Sequence, residues 1–415
     1  MNSALQCMSN CPELKQYFLS RVYINELNRV NPLGMGGKVA ETFGQLIEKL
    51  WNSTPHSSIA PREFKSIVGR FNSLFLGYGQ QDSQELLTFL LDALHEDLNR
   101  VLKKPFDEIP DFKDGDGDLE LIKLAETCWN LYRRRNDSVI VDLFQGQYKS
   151  TLVCPDCQKV NRFIILKTIR SSLPFSDKKQ LTIEDCFKDF SKPERLGEED
   201  MWYCPRCQKH VQAIKTMQIW KVPDILVVHF KRFSNARTAY GRSTKVDAFV
   251  EFPIEGLDLS DEVEGIKEEE SLIYDLFAVD NHFGGLGGGH YTAFAKNATD
   301  GKWHNFDDSH VSEVDSAEKV KSSAAYLLFY RRRTNKNLGS KTHKIVSSAL
   351  GSTMMTGQEE EEEVERVEQV EVEEEEVAEA EAEEDRFRTR SLSGESAGGS
   401  SARCLSPSSE PQALD

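Results

Sequence analysis

The stretch GGLGGGHYTAFAKNATDGKWHNFDD, residues 284–308, carries the clearest sign of how this chain folds. A glycine-rich loop leads into a β-type run that begins with His290, and a second run ends in Asp307 and Asp308. Two such runs joined by a short turn predict neighbouring antiparallel strands. Asp307 would then lie beside His290, as an orienting acid lies beside the general base of a Cys–His–Asp hydrolase. Taken alone, a histidine at a strand start is more often structural than catalytic.

Two C-P-x-C pairs are the second signal, Cys154 with Cys157 and Cys204 with Cys207. Four thiolates suit tetrahedral Zn²⁺, and four protein ligands leave no position for a reacting water. The first residues lack the basic segment and continuous apolar run of a secretion signal. We therefore expect a cytoplasmic and/or nuclear setting, where paired cysteines are metal ligands sooner than disulfides. The sequence predicts one structural zinc ion, held where two hairpins meet.

Hydrophobic spacing divides the chain into a helical part and a strand-rich part. The clearest helix is predicted from Asp82 to Asn99, where Asp82 and Glu85 form a D-x-x-E capping box ahead of leucines at helical spacing. From about residue 141 to 333 the pattern changes to short β-type runs at 151–154, 225–233, 274–279, 290–295 and 325–330. Helices followed by strands indicate an α+β fold.

The net charge of the chain lies almost wholly in one segment. The 415 residues carry a formal net charge of −17. Residues 359–385 hold 16 Glu and Asp385 against Arg366, a net charge of −16, so the rest is close to neutral. A near-neutral domain argues against nucleic-acid binding, which needs a clustered basic surface. No apolar run approaches the roughly 18 residues that suggest a membrane span. From residue 334 onward, the loss of apolar residues predicts a disordered tail.

These motifs, in this order, resemble the ubiquitin-specific proteases, a family of cysteine deubiquitinases. The matching segments between Met1 and about Arg333 are MNSALQC, GYGQQDSQE, FQGQYKSTLVCPDC, WYCPRC, ILVVHFKRF, GGGHYTAFAK with WHNFDDS, and AAYLLFYRR. They look most like the branch whose other members carry extra N-terminal modules and a large insert between the zinc-binding pairs. The resemblance implies a papain-like, right-hand architecture. Its parts would be a helical thumb (1–140), zinc-binding fingers (141–222), a β-rich palm (223–333) and a tail (334–415).

The resemblance also implies roles for individual residues. His290 matches the general base, Asp307 the residue that orients it, and Asp308 a neighbouring acid. The positions that match the binding site for the ubiquitin tail are Gln80, Asp82, Gln84, Glu85 and Tyr291. Segments 234–247 and 281–289 match two loops that cover this tail. The activity implied is hydrolysis of the (iso)peptide bond after the C-terminal Gly of ubiquitin, with ubiquitin and ubiquitinated proteins as partners.

One part of the family pattern is not in the sequence. In the family, the nucleophilic Cys precedes MNSALQ, so it would lie two residues before Met1. Cys7 and Cys11 are not expected to replace it, because they match positions where the family needs no thiol. We expect a truncated gene model of an active ubiquitinyl hydrolase, because the remaining catalytic pattern is intact. The alternative is an inactive ubiquitin-binding or scaffold protein.

Overall fold

The computed structural model describes residues 1–52, 58–110, 112, 117–168, 170–173, 181–233, 245–265, 271–285 and 288–351. Helices form most of the described chain up to residue 144. They are α1 (Asn2–Ser9), α2 (Pro12–Leu19), α3 (Tyr23–Glu26), α4 (Lys38–Asn52), α5 (Arg62–Phe71), α6 (Ser83–Asp97), α7 (Asp118–Arg133) and α8 (Val139–Phe144). The boundary predicted between thumb and fingers, at 140/141, falls inside α8.

The described chain after residue 144 is rich in strands. They are β1 (Gln145–Val153), β2 (Val160–Thr168), β3 (Arg170–Leu173), β4 (Leu181–Thr182), β5 (Glu194–Arg195), β6 (Trp202–Cys204), β7 (Lys209–Val211), β8 (Ile214–Lys221), β9 (Ile225–Phe230), β10 (Val250–Glu251), β11 (Leu257–Asp258), β12 (Ile273–Gly285), β13 (Gly288–Lys296), β14 (Trp303–Asp307), β15 (His310–Val314) and β16 (Ala325–Arg332). Helix α9 (Ile183–Phe190) lies between β4 and β5, and a helix over 340–351, here α10, follows β16.

Helix α6 begins at the predicted residue, but its cap differs from the prediction. Asp82 is the N-cap, and its Oδ1 accepts the backbone N–H of Gln84 at 2.7 Å. Its Oδ2 accepts the hydroxyl of Tyr326 in β16 at 2.6 Å, a contact across 244 positions of sequence. The described residues show no reciprocal bond from Glu85, which is exposed. The predicted capping box was therefore wrong: Asp82 caps the N–H of Gln84 and not that of Glu85, and its second oxygen bonds Tyr326.

Two larger sheets follow the helices. The smaller has the order β2-β1-β8-β5, and the larger runs β15-β14-β13-β12-β16-β9-β3, with β11 also paired to β12. All six residues of β9 are buried. A strand with both sides buried needs cover on both faces of its sheet. One face packs against α1–α6 and α8, and the other packs against α9 and the segments around β10 and β11.

The fold does not end at Arg333, where the disordered tail was predicted to begin. The segment after Arg333 packs on the helical core: Leu338, just before α10, and Val346, within it, are buried, and Ile345 is partly buried. Its few apolar residues explain why composition alone missed it. The acidic run 359–385 lies outside the described residues. Among those described, no helix has both the length and the apolar character to cross a membrane.

Arg100 joins α10 to the helical part. Its Nε donates to Glu26 at 2.8 Å, and its Nη1 donates to Asp137 at 3.1 Å and Asp142 at 3.3 Å. Its Nη2 donates to Thr342 in α10 at 3.0 Å, and the Thr342 hydroxyl donates to Asp142 at 2.7 Å. Burial opposes its charge, but the hydrogen bond to Glu26 and the negative charges of Glu26 and Asp142 raise the pKa of Arg100. One guanidinium thus links four parts of the chain.

Candidate active site and zinc centre

The described structure places His290 beside Asp307. Strands β13 and β14 pair from Ala293 opposite Phe306, which leaves His290 and Asp307 just beyond the last pair. Nε2 of His290 lies 2.6 Å from Oδ1 of Asp307. A carboxylate there favours the tautomer with hydrogen on Nε2, so Nδ1 keeps a lone pair that can accept a proton. Both side chains are about half exposed, at 51% and 47%, so a substrate can reach them.

Asp308 does not contact the imidazole through a hydrogen bond. Its Oδ1 accepts a hydrogen bond of 3.0 Å from the side-chain amide of Asn2, at the start of α1. The residue has a φ of 49°, in the left-handed region that Asp tolerates better than most residues. This turn lets the chain reverse into β15 while the carboxylate reaches α1. Asp308 therefore fixes the position of the first turn of α1 relative to His290.

Three of the five positions predicted to hold the ubiquitin tail, Gln80, Asp82 and Tyr291, line the same cleft. A cleft of about 240 Å³ has Gln80, Asp82, His290 and Tyr291 in its walls, together with Met1. The Gln80 carboxamide donates to the carbonyl of Gly289 at 2.7 Å and accepts its N–H at 2.6 Å.

Gln84 and Glu85 belong to the next turn of α6. Gln84 donates to Thr88 at 2.9 Å and lines a separate, larger pocket. Glu85 is exposed. The covering segments 234–247 and 281–289 are described only in part, because residues 234–244 and 286–287 lie outside the described chain.

Sequence reasoning missed a buried carboxylate behind the cleft. Asp280 in β12 is fully buried, and its Oδ2 accepts the hydroxyl of Ser83 at 2.5 Å. Burial raises the pKa of Asp280 to about 6, although the Ser83 hydroxyl opposes the shift. The one signal available was an acidic residue inside the apolar run FAVDNHF. Burial also raises the pKa of Tyr291, whose ring lies 4.6 Å from that of His282.

The thiols near the start of the chain are core residues. Cys7 and Cys11 are fully buried, and burial raises the pKa of both well above the ordinary value. A thiol that remains protonated is a poor nucleophile. The geometry agrees with the expectation that neither replaces the family nucleophile.

The four predicted zinc ligands come together at the tip of the small sheet. Sγ of Cys154 lies 3.8 Å from that of Cys207, and Sγ of Cys157 lies 3.6 Å from that of Cys204. All four sulfur atoms lie within 4.8 Å of one another. A tetrahedron with Zn–S bonds of about 2.3 Å has edges of about 3.8 Å, so the spacing fits zinc. The set supplies four ligands, as a structural site requires.

The two zinc-binding turns have the same local structure. Each reads C-P-x-C-Q-K, and each glutamine, Gln158 or Gln208, has a left-handed φ of 58° or 56°. In each, that glutamine N–H donates to the carbonyl of the first cysteine, at 3.0 Å for Cys154 and 2.7 Å for Cys204. Desolvation disfavours the Cys204 thiolate, but the N–H groups of Cys207 and Arg206 lower its pKa to about 7. The turn thus favours the thiolate of Cys204, the form that binds metal.

Comparison with known proteins agrees with this geometry. The family model described as Ubiquitin carboxyl-terminal hydrolase matches residues 1–330. The chain belongs to this family. Ubiquitin carboxyl-terminal hydrolase 2 of Bos taurus is 39% identical over 338 residues, covering 80% of this chain and 53% of the relative. Ubiquitin carboxyl-terminal hydrolase 9 of Arabidopsis thaliana is 30% identical over 591 residues, covering 80% of this chain and 64% of the relative.

A solved structure supports the fold assignment for this ubiquitin carboxyl-terminal hydrolase family member. The SAGA Ubp8/Sgf11/Sus1/Sgf73 DUB module bound to ubiquitin aldehyde contains a chain that matches with a TM-score of 0.59 and 27% identity. The match covers 80% of this chain and 67% of that one. The family resemblance and the α+β, papain-like fold are confirmed. The chain spans about half to two thirds of the length of the relatives named above.

Proposed function

We propose that this chain supplies the general base, the orienting acid and the ubiquitin-binding surface of a thiol-dependent deubiquitinase. The observation that carries the proposal is the 2.6 Å contact between His290 and Asp307 at a cleft whose walls include Gln80 and Tyr291. The reaction would be hydrolysis of the (iso)peptide bond after the C-terminal Gly of ubiquitin. Ubiquitin and ubiquitinated proteins would be its partners.

The chemistry follows from the positions of the two catalytic side chains. The expected thiol nucleophile precedes Met1, which itself lines the cleft. Its sulfur would bond to the carbonyl carbon of the last Gly while its proton passes to Nδ1 of His290. The C–N bond then breaks, and the lysine amine leaves with that proton. Water, deprotonated by His290, hydrolyses the thioester and regenerates the thiol. Asp307 would hold the ring and stabilise the imidazolium.

A second surface suits the globular body of ubiquitin. The face of the small sheet that carries Tyr148 also presents Phe163 and Ile165, and these two apolar side chains are exposed at 38% and 36%. Between this face and α6 lies a pocket of about 990 Å³, whose walls include His95 and Met217. Exposed apolar side chains at the mouth of a concave surface are typical of a protein-binding site. The tail cleft and this face would engage one ubiquitin molecule together.

The test uses a longer chain in which the family's nucleophile segment precedes Met1, with a ubiquitin–fluorophore conjugate as substrate. His290→Ala should lower kcat/KM by at least about 100-fold, the usual range for losing a general base. His210→Ala, an exposed histidine on β7, is the matched control and should retain the full rate. Near-normal turnover by His290→Ala would overturn the assignment of the base.

A second function is ubiquitin binding without cleavage. It is favoured by the positions of the described thiols at the N-terminus and in the fingers, which do not suit a nucleophile. Those near the N-terminus are buried, and four others form the zinc site. Titration of the chain as given with ubiquitin should show saturable binding under this reading. Well-folded protein that does not bind ubiquitin would contradict both functions. Action in the cytoplasm and/or nucleus remains part of the proposal.

A further inference from the structure

A second pocket adjoins the catalytic cleft. It has a volume of about 920 Å³, and its walls include Trp51, Asp300, Phe306 and Val311. It shares Asn2 and Asp308 with the cleft, and no other lining residue. The hydrogen bond from Asn2 to Asp308 therefore forms the wall between them. We call this second space the acceptor pocket.

The acceptor pocket lies on the side of the scissile bond opposite to the ubiquitin tail. Gln80 and Tyr291, which match the positions for the ubiquitin tail, line the cleft and not the acceptor pocket. A peptide-bond hydrolase must also accommodate the group on the amine side of the bond. That group has to leave the cleft away from the ubiquitin tail. The acceptor pocket lies next to the cleft, on the other side of the Asn2–Asp308 pair, where there is space for this group.

The walls of the acceptor pocket have a definite chemistry. Asp300 and Asp308 contribute carboxylates. The N–H of Lys302 and the ring of His304 lower the pKa of Asp300, so it is anionic at neutral pH. Val311 is 51% exposed, and Trp51 and Phe306 are partly buried against the core. Acidic groups beside apolar surface match a segment that has both basic and apolar residues.

We propose that the acceptor pocket binds the extended segment of a ubiquitinated protein that carries the modified lysine, with basic and apolar residues beside it. The inference rests on the proposed function, since it concerns the leaving-group side of the same bond. The carboxylates attract the basic neighbours of the lysine, while Val311 and Phe306 contact their aliphatic parts. The pocket thereby favours some ubiquitinated segments over others without contacting ubiquitin.

The test measures binding, so it works with the chain as given. The ligands are free ubiquitin, ubiquitin joined through a non-cleavable triazole to the lysine of a short basic and aliphatic peptide, and triazole-linked diubiquitin. The peptide conjugate should bind about tenfold more tightly than free ubiquitin, the effect of about 1.4 kcal/mol of added contact. Asp300→Lys and Val311→Lys should each remove most of this gain while leaving the affinity for free ubiquitin within about twofold.

Val30→Lys is the control, because Val30 is 75% exposed in the loop between α3 and α4 and should change none of these affinities. Equal affinities for ubiquitin and its peptide conjugate would overturn the inference and leave the proposed function standing. The inference would also be overturned if Asp300→Lys and Val311→Lys both kept the tighter binding of the peptide conjugate. If only diubiquitin binds more tightly than free ubiquitin, the inference is overturned, because the pocket then takes a folded second ubiquitin and not an extended segment. Absence of binding by free ubiquitin and both conjugates would overturn the proposed function as well.

Discussion

Asp280 is buried directly behind the catalytic cleft, so it bears on both the stability of the protein and the proposed active site. Its carboxylate is fully buried between the large sheet and the first turn of α6, and its Oδ1 has no hydrogen-bond partner among the described residues. The groups that face it are Ser83 from α6, Ser3 from α1, the amino group of Met1 and Asp82. Burial disfavours the ionised form of a carboxylate, and the hydroxyl groups of Ser83 and Ser3 offset only part of this effect.

We predict that Asp280→Asn stabilises the protein at neutral pH. The native pKa of about 6 exceeds the ordinary value of 3.8, so the native state binds more protons than the unfolded state between these values. Wild-type stability should therefore fall as pH rises through this window. The amide keeps an acceptor for Ser83 without a charge, and its advantage at pH 7 is up to about 3 kcal/mol.

Denaturant unfolding at pH 5 and pH 7 checks this prediction. The advantage of Asp280→Asn over the wild type should be larger at pH 7 than at pH 5. Asp261→Asn, at an exposed position, is the control and should follow the wild type at both values. An advantage of the same size at both pH values would show that Asp280 has an ordinary pKa.

At the scale of elements, the zinc-binding hairpins depend on their metal. The hairpin of β6 and β7 contributes Cys204 and Cys207, and a small cluster that includes Val211 and Leu152 packs beside it. Short two-stranded hairpins are marginally stable alone, so metal binding is coupled to their folding. Cys207→Ser should reduce bound zinc from about one equivalent to a small fraction. Cys128→Ser, a buried cysteine in α7, should keep a full equivalent by metal analysis.

The left-handed glutamines of the two zinc-binding turns, Gln158 and Gln208, allow a second prediction at this scale. A left-handed conformation costs a non-glycine residue about 1–2 kcal/mol, whereas glycine adopts it freely. Gln208→Gly should raise the free energy of unfolding of the zinc-bound protein by up to about 1 kcal/mol, after the entropy that glycine loses on folding. Gln208→Ala keeps the Cβ and should show no such gain. Equal stability of the two variants would mean that the turn carries no strain.

At the scale of the whole molecule, α10 extends the folded unit beyond the part that the family model covers. A chain that ends at Arg333 would lose the buried Leu338 and Val346 and the hydrogen bonds of Thr342. We predict a free energy of unfolding about 2–4 kcal/mol lower than that of a chain ending at residue 351. Thermal or denaturant unfolding of the two chains compares them directly. Equal stability would show that α10 does not contribute to the domain.

The sequence could predict those features whose signal is local. Leucine spacing located α6, the C-P-x-C pairs located the metal ligands, and two strand-like runs brought His290 to Asp307. The missed features depend on contacts between distant residues. The partner of Asp82 is Tyr326, far along the chain, and no local periodicity indicates it. Helix α10 has too few apolar residues to stand out, and it forms because the helical core offers a surface for Val346 and for Leu338 just before the helix.

The hydrogen bonds of Arg100 affect how a sequence variant with lysine at this position should be interpreted. A change to lysine preserves the charge and would pass as conservative. Lysine presents one ammonium group in place of a planar fork, so it cannot serve Glu26, Asp137 and Asp142 together with Thr342. The side chain of Asp142 is 3% exposed, and it would keep a single arginine partner, Arg133. Loss of thermal stability in Arg100→Lys would show that a seemingly conservative change far from the catalytic cleft weakens the fold.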